Sequence, residues 1–333
     1  MGLLNKVMHI AGIFLVPAIC WASSAQEDDI DSIPASDRNL RVLYWNIQNG
    51  MWSGQQSDYK EFVAFVARYQ PDVCVWAEAQ SNYLTASSEV YADDSERYFP
   101  GAWADFARRY GHGYCYKGGH RDRFPQVVTS RYPIENVKRI VGAEPDSIVS
   151  HGAGWARIVV GNDTVNIVTV HTWPQKYGFG VDKPRQKDDA AVNGGDRYRR
   201  KEIEYICRNT IESVPDADRQ LWMMMGDFNS LSRLDNRFYG MPADTSAFLC
   251  HDYVLEHTPY IDVVSKKYPS ELVPTIWRDA RIDYVYCTPA LYNCIADVKV
   301  IRDDYTTPVR DSLVSRFFHP SDHCPILIDF NKP

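Results

Sequence analysis

The sequence predicts an α+β fold in which helices cover the outer faces of packed β-sheets. Three observations lead there. Apolar runs of strand length recur along the chain, most of them bounded by Gly, Pro, Asn or Asp. Only two stretches carry clear helical periodicity. Between "ARIVV" (Ala156–Val160) and "TVNIVTV" (Thr164–Val170) stands "GND", the turn chemistry of a hairpin. A hairpin makes its strands antiparallel, which argues against a doubly wound parallel sheet, where a crossover helix would be needed.

In chain order, "LRVLYW" (Leu40–Trp45) is the first expected strand. A helix follows in "SDYKEFVAFVARYQP": Tyr59, Phe62, Val63 and Val66 share one face, Asp58 and Glu61 have capping-box spacing, and Pro71 ends it. "VCVWA" and "QVVTS" are the next strands, then the hairpin. The second helix lies in "DRYRRKEIEYICRNTIESVP", with Ile203, Ile206, Cys207, Ile211 and Val214 on one face before Pro215. "LWMMM", "IDYVYC", "DVKVI" and "ILIDF" complete the strands. No repeat, low-complexity block or linker interrupts residues 39 to 331, so residues 39–333 read as one domain.

The first residues differ. Lys6 precedes the apolar run "IAGIFLVPAIC", and "SSA" offers small residues for cleavage after Ala25. Residues 1–25 therefore read as a signal peptide for export, to the periplasm or the exterior, and residues 26–38 as an exposed lead-in. Losing Lys6 takes the formal charge from -7 to -8. A net acidic protein repels polyanions at long range, so a phosphate substrate needs a local basic patch or a bound cation. Seven cysteines remain beyond Cys20, with no zinc-type spacing; Cys74 and Cys287 sit in apolar runs as small hydrophobes, and one disulfide is compatible with export.

Polar residues collect where these strands begin and end. They are Asn46 in "LYWNIQNG", Glu78 after "VCVWA", His171 in "IVTVHTWP", Asp227 and Asn229 in "LWMMMGDFNS", Asp283 in "RIDY", and Asp322 with His323 in "HPSDHCPI". The run before Asp227 reads as a buried strand, and Gly226 as the point where the chain turns to bring Asp227 and Asn229 to the rim. Each alone has an ordinary explanation: a turn Asn, a solvated Glu, a core His, an Arg–Asp pair in "RIDY", a helix cap in "SDH". Together, hard oxygen donors suit Mg²⁺ or Mn²⁺, with Ca²⁺ a further candidate, rather than zinc. Such an ion neutralises phosphate charge, while a His beside a carboxylate moves protons near neutral pH.

From Arg41 to Phe330 the chain resembles the endonuclease/exonuclease/phosphatase (deoxyribonuclease I-like) superfamily, through "GDFN", "RIDY" and "SDH" together with the Asn46 and Glu78 motifs and "SRYPI". The resemblance implies a four-layered α/β sandwich, two packed mixed β-sheets flanked by helices, with the site at one rim. It also implies roles. Glu78, Asn46 and Asp322 would hold the metal; Asp227 and Asn229 would position water or a second cation. His323 would meet the phosphate or act as base, oriented by Asp283, and His171 would contact phosphoryl oxygens.

The expected substrate is a phosphate ester, a nucleic acid first and a phosphorylated small molecule or lipid headgroup second. Apurinic endonucleases of the superfamily carry Tyr at the place of His171, so base-excision repair is disfavoured. The opposing reading is a secreted binding protein on the same scaffold, and the complete polar set argues against it. No obligate protein partner is evident. Lys117, Arg121, Arg131 and Lys176 are the candidate phosphate-binding cations. Lys117 and Arg121 cluster with His120 and Arg123 in "YKGGHRDRFP"; Lys176 lies in the long charged segment after Thr172 with Lys183, Arg185, Arg197, Arg199 and Arg200. That segment reads as a solvated loop, with a substrate-covering lid as the alternative.

Overall fold

Strand β1 (Leu40–Asn46) runs through the middle of a six-stranded sheet with β2 (Val73–Ala77), β3 (Tyr114–Lys117), β4 (Val127–Ser130), β11 (Ile295–Val300) and β14 (Ile326–Phe330), in the order β11-β14-β1-β2-β4-β3. A second six-stranded sheet holds β5 (Ile134–Ile140), β6 (Ala153–Val160), β7 (Asp163–His171), β8 (Trp222–Asp227), β9 (Ile261–Asp262) and β10 (Asp283–Cys287), in the order β5-β6-β7-β8-β10-β9. A short ribbon pairs β12 (Val309–Arg310) with β13 (Phe318–His319). The computed structural model describes residues 40–80, 103–118, 124–142, 148–192, 194–312 and 317–331. The signal-peptide reading of residues 1–25, the lead-in and Arg121 lie outside the described residues.

The two-residue period of the strands explains the layers. Val42, Tyr44, Val73 and Val75 of the first sheet face Ile167, Met223, Met225 and Val285 of the second, making the central core. On the outer face of the first sheet, Leu43, Trp45, Cys74 and Trp76 pack against helix α1 (Lys60–Tyr69) through Phe62, Phe65 and Val66. On the outer face of the second, Val168, Trp222, Met224 and Tyr284 pack against α2 (Gly195–Arg208) and α3 (Leu249–His257). The architecture is therefore two mixed sheets flanked by helices. "WMMM" is continuously apolar because both faces of β8 are covered.

Both expected helices form, the second ending at Arg208 so that Ile211 and Val214 lie beyond it, and β6 and β7 pair antiparallel from Ala153↔Val170 to Val160↔Asp163 around the "GND" turn. Two local expectations fail. Asp58 and Glu61 form no capping box: Tyr59 is the N-cap, left-handed at φ 56°, with no side-chain cap bond. Gly226 makes no turn either, since it lies inside β8 and is paired with Tyr284. Its reason is close approach, because a Cβ there would stand 1.9 Å from the Val170 carbonyl oxygen of parallel β7. Cys74, Cys115, Cys207, Cys250, Cys287, Cys294 and Cys324 are all free, with Cys74 and Cys287 fully buried.

Candidate active site

Strand direction gathers the polar residues. β1 and β2 are parallel, so Asn46 pairs with Ala77 and Glu78 follows at the same edge. β7 and β8 are parallel, which sets His171 beside Asp227. β10 runs antiparallel to β8 and starts there, placing Asp283 opposite Asp227. β14 runs antiparallel to β1 with Ile326 opposite Tyr44, so the preceding Asp322 and His323 return to the rim beside Asn46.

At the centre, His323 Nδ1 is 2.8 Å from Asp283 Oδ2, and the other Asp283 oxygen accepts the Tyr44 hydroxyl at 2.8 Å. Thr275 Oγ1 accepts the Asp283 N–H. These bonds leave His323 Nε2 to face the pocket, 3.7 Å from Asp227 Oδ2 and 3.9 Å from Asp322 Oδ1. Burial opposes the imidazolium, but Asp283 and Asp322 more than offset it and hold the His323 pKa well above its usual value. His171 moves the other way: burial, then the neighbouring His151 and His323, keep it neutral. Its Nε2 lies 3.7 Å from Asp227 Oδ2.

Asn46 bridges the acids, its Nδ2 donating to Asp227 Oδ2 at 3.1 Å and to Glu78 Oε1 at 3.4 Å. Asn229, left-handed at φ 46°, donates its backbone N–H to Asp227 Oδ1 and its Nδ2 to the Thr172 carbonyl. Glu78 is also left-handed, at φ 52°. That conformation costs a non-glycine residue about 1–2 kcal/mol, and two bonds hold it: Gly50 N–H to the Glu78 carbonyl at 2.7 Å and Asn49 N–H to Oε2 at 2.9 Å. Such strain concentrates at functional sites.

Burial raises the pKa of Glu78 and of Asp227; Asp322 adds to the first and Asp283 to the second. Converging carboxylates that resist ionisation together need positive charge among them. His323 supplies one unit, and the carboxylates of Glu78 and Asp322 with Asp227 suit a hard divalent cation, whereas Asn46, expected as a ligand, turns its Nδ2 to the acids and its Oδ1 to the Gln48 N–H and so positions them. Independently of that set, oxygens of Asp227 and Asp283 and a His323 nitrogen lie within 4.8 Å of one another, a buried group with the composition to hold a metal.

A cavity of about 440 Å³ opens onto Glu78, His171, Asp227, Asn229, Asp322 and His323. Of the expected phosphate-binding cations, those among the described residues, Lys117, Arg131 and Lys176, do not line it. Arg131 is at the wrong end. β4 runs antiparallel to β2, so Arg131 follows Ser130 opposite Val73, where it pairs with Asp72, about 16 Å of strand away from Glu78. Lys117 ends β3 at the rim, two strands beyond β2, about 10 Å out. Lys176 is exposed after β7. The segment that carries it is tied down: Arg199 is buried and donates to the Trp173 and Gln175 carbonyls, and Arg200 pairs with Glu204.

The cavity contains cations that the sequence reading missed, Arg278 and Arg310, beside Trp277 and Phe318. Tyr44 was missed too, although it stands two residues before Asn46 on the same strand face. Buried Glu202 on α2 accepts from Ser150 N, Ser150 Oγ and Trp173 N, which frames His151 against His171 with ring centres 4.3 Å apart. No local pattern signals that brace.

Comparison with known proteins agrees with this geometry. The sequence profile of the Endonuclease/Exonuclease/phosphatase family matches residues 43–323. No curated sequence gives a significant match. Among solved structures, an AP endonuclease from Archaeoglobus fulgidus is 16% identical at a TM-score of 0.57, over 88% of this chain and 99% of that one. The 3' phosphatase NExo from Neisseria, bound to product DNA hairpin, is 15% identical at 0.55, over 87% and 99%. The human Nocturnin catalytic domain is 13% identical at 0.53, over 88% and 93%. At such identities the structures speak for the fold, and the profile, which spans every polar residue gathered at the rim from Asn46 to His323, speaks for descent: the chain belongs to the endonuclease/exonuclease/phosphatase family.

Proposed function

We propose that this protein is an exported, divalent-cation-dependent phosphodiesterase that acts on nucleic acid. Its family consists of phosphoester hydrolases, nucleases and phosphatases. The observation that carries the reading is the Asp283–His323 pair at 2.8 Å, aimed at a pocket that Asp227, Glu78 and Asp322 make acidic. Two neighbours of the same fold are named for work on DNA, as an AP endonuclease and a phosphatase bound to product DNA hairpin.

In this reading Glu78 and Asp322, with Asp227 as a further donor, would hold a Mg²⁺ or Mn²⁺ ion, and Asn46 would position Glu78 and Asp227 for it. The bound cation supplies charge neutralisation at the phosphate and its leaving oxygen. The remaining work falls to the chain. Asp227, with its carboxyl raised by burial, accepts a proton from the attacking water, and Asn229 holds Asp227 in place. His323, fixed by Asp283, and neutral His171 donate to phosphoryl oxygens where negative charge gathers. Water oxygen bonds to phosphorus as the ester oxygen leaves.

A panel of plasmid, single-stranded DNA, RNA, sphingomyelin, phosphoinositide and chromogenic diester tests the reading. Hydrolysis of nucleic acid and diester, abolished by chelator and restored by Mg²⁺ or Mn²⁺, is expected. Restoration by zinc alone contradicts the ligand argument, and turnover confined to a phospholipid or phosphoinositide moves the substrate to the second reading. Export rests on residues 1–25. Expression with secretion should yield a mature chain beginning at Gln26, and a chain retained in the cytoplasm with Met1 intact would refute it.

A further inference from the structure

One wall of the pocket is cationic and aromatic. Trp277 and Arg278 stand on the turn that closes Thr275 and Ile276 N–H onto the Ala280 carbonyl, at 2.9 and 3.2 Å. Arg310 ends β12, paired with Phe318 of β13. The guanidinium carbons of Arg278 and Arg310 lie 4.6 and 4.9 Å from the Trp277 ring centre, and that of Arg310 is 4.8 Å from the Phe318 ring. The Trp277 and Phe318 rings are 4.7 Å apart. All four side chains line the pocket that holds Glu78, Asp322 and His323.

Separate anchors hold the two arginines. The Trp277 turn is fastened to the catalytic segment itself: Trp277 N–H donates to the Asp322 carbonyl at 3.1 Å, and Ile276 bridges to His323. The ribbon is fastened to the turn after β1, with Phe318 N–H on Gln48 Oε1 at 3.0 Å and Trp52 Nε1 on the Phe318 carbonyl at 3.1 Å. Two independently placed guanidiniums thus converge on one indole. Stacking engages the face of a guanidinium, and the N–H groups along its edges match phosphate oxygens.

The electrostatics ask for such a feature. The chain is net acidic, and the pocket floor is lined by carboxylates. A polyanionic substrate therefore needs positive charge at the mouth, and Lys117, Arg131 and Lys176 do not line the cavity. Building on the phosphoester hydrolase reading, we propose that Arg278 and Arg310 form an anion subsite that receives a second phosphate of the substrate, next to the phosphate that is cleaved. The substrate class is then a compound bearing at least two neighbouring phosphates. The next phosphodiester of a nucleic acid strand supplies that chemistry, and so does a polyphosphorylated headgroup.

The test compares wild type with Arg278→Ala, Arg310→Ala and the double variant on three substrates: a short oligodeoxynucleotide, phosphatidylinositol 4,5-bisphosphate in micelles, and bis(p-nitrophenyl) phosphate, which has a single phosphate. The double variant is expected to lose kcat/KM on a multiply phosphorylated substrate by at least about tenfold more than on the single-phosphate diester, mostly through KM. For the oligonucleotide, the slope of log affinity against log salt should fall by about one per arginine removed. A loss confined to the oligonucleotide assigns the second phosphate to nucleic acid, and one confined to the phosphoinositide assigns it to a headgroup. Equal losses on all substrates, or none, overturn the proposal. Wild-type protein inactive on every substrate refutes the hydrolase reading instead. Oligonucleotide binding by fluorescence anisotropy then decides the subsite: weakening of about tenfold in the double variant supports it, and an unchanged Kd overturns it.

Discussion

Replacing His323 by alanine is expected to lower kcat on a phosphodiester by about 10³–10⁴-fold, roughly 4–5.5 kcal/mol of barrier. The imidazole is oriented by a buried carboxylate, at 2.8 Å, and its second nitrogen faces the pocket, where it can meet a phosphate. Among the described residues the other imidazole lining the pocket, His171, is neutral and so does not replace the charge that Asp283 sustains on His323. Wild-type turnover in His323→Ala would remove His323 from the chemistry.

Asp283→Asn separates charge from position. The amide keeps the shape but loses the strongest of the charges that raise His323 against its burial. In chelated protein the His323 imidazolium should therefore titrate at lower pH in Asp283→Asn than in wild type, read from its ring proton shifts. An unmoved titration would show that Asp283 does not set the state of His323. Folded-state stability follows the same sign. The raised His323 pKa contributes stability below the unfolded histidine pKa, and that contribution is lost as pH rises through the higher folded value.

The second large effect is on stability. Arg281 is 1% exposed and donates to two buried acids, to Asp235 at 2.6 and 2.9 Å and to Asp262 at 2.7 and 2.8 Å. Its guanidinium also lies 4.2 Å from the Tyr284 ring centre. Arg281→Ala would leave two carboxylates in the interior without the guanidinium that is hydrogen-bonded to both, a change that costs about 3–5 kcal/mol. Urea unfolding measures it, and a loss below about 1 kcal/mol would mean that water or rearrangement reaches the acids. Arg281→Lys should recover only part, because an ammonium cannot present the fork that serves both carboxylates. Arg281 stands two residues before Asp283, so "RIDY" has two tasks. Its Arg is a structural partner, of Asp235 and Asp262 rather than of the Asp in its own motif, and its one acid, Asp283, orients His323.

Much of the site was legible from sequence for one reason. Asn46, Glu78, His171, Asp227, Asp283 and His323 each adjoin an apolar run, and an apolar run of that length is a buried strand that shows its end residues at a sheet edge. Local patterns also identify the β6–β7 hairpin and both long helices, because turns and amphipathic faces are set by near neighbours in the chain. Where local pattern was over-read, a distant contact decided otherwise. Gly226 looked like a turn residue and is instead where the Val170 backbone comes too close for a side chain.

The substrate cations show the boundary most clearly. Lys117, Arg131 and Lys176 draw attention by local charge and neighbouring glycines or strand ends, yet whether a charge reaches the pocket depends on strand direction and sheet order. Antiparallel pairing of β2 with β4 sends Arg131 to the far end, while the return of the chain before β14 brings the Trp277 turn and the β12–β13 ribbon to the mouth. Hydrophobic period and strand-end chemistry, carried in a few adjacent residues, suffice for the two sheets, the two periodic helices and the acids of the rim. Which arginines face those acids and what neutralises Arg281 emerge only in the folded chain, because both depend on pairings between segments whose separation no local pattern encodes.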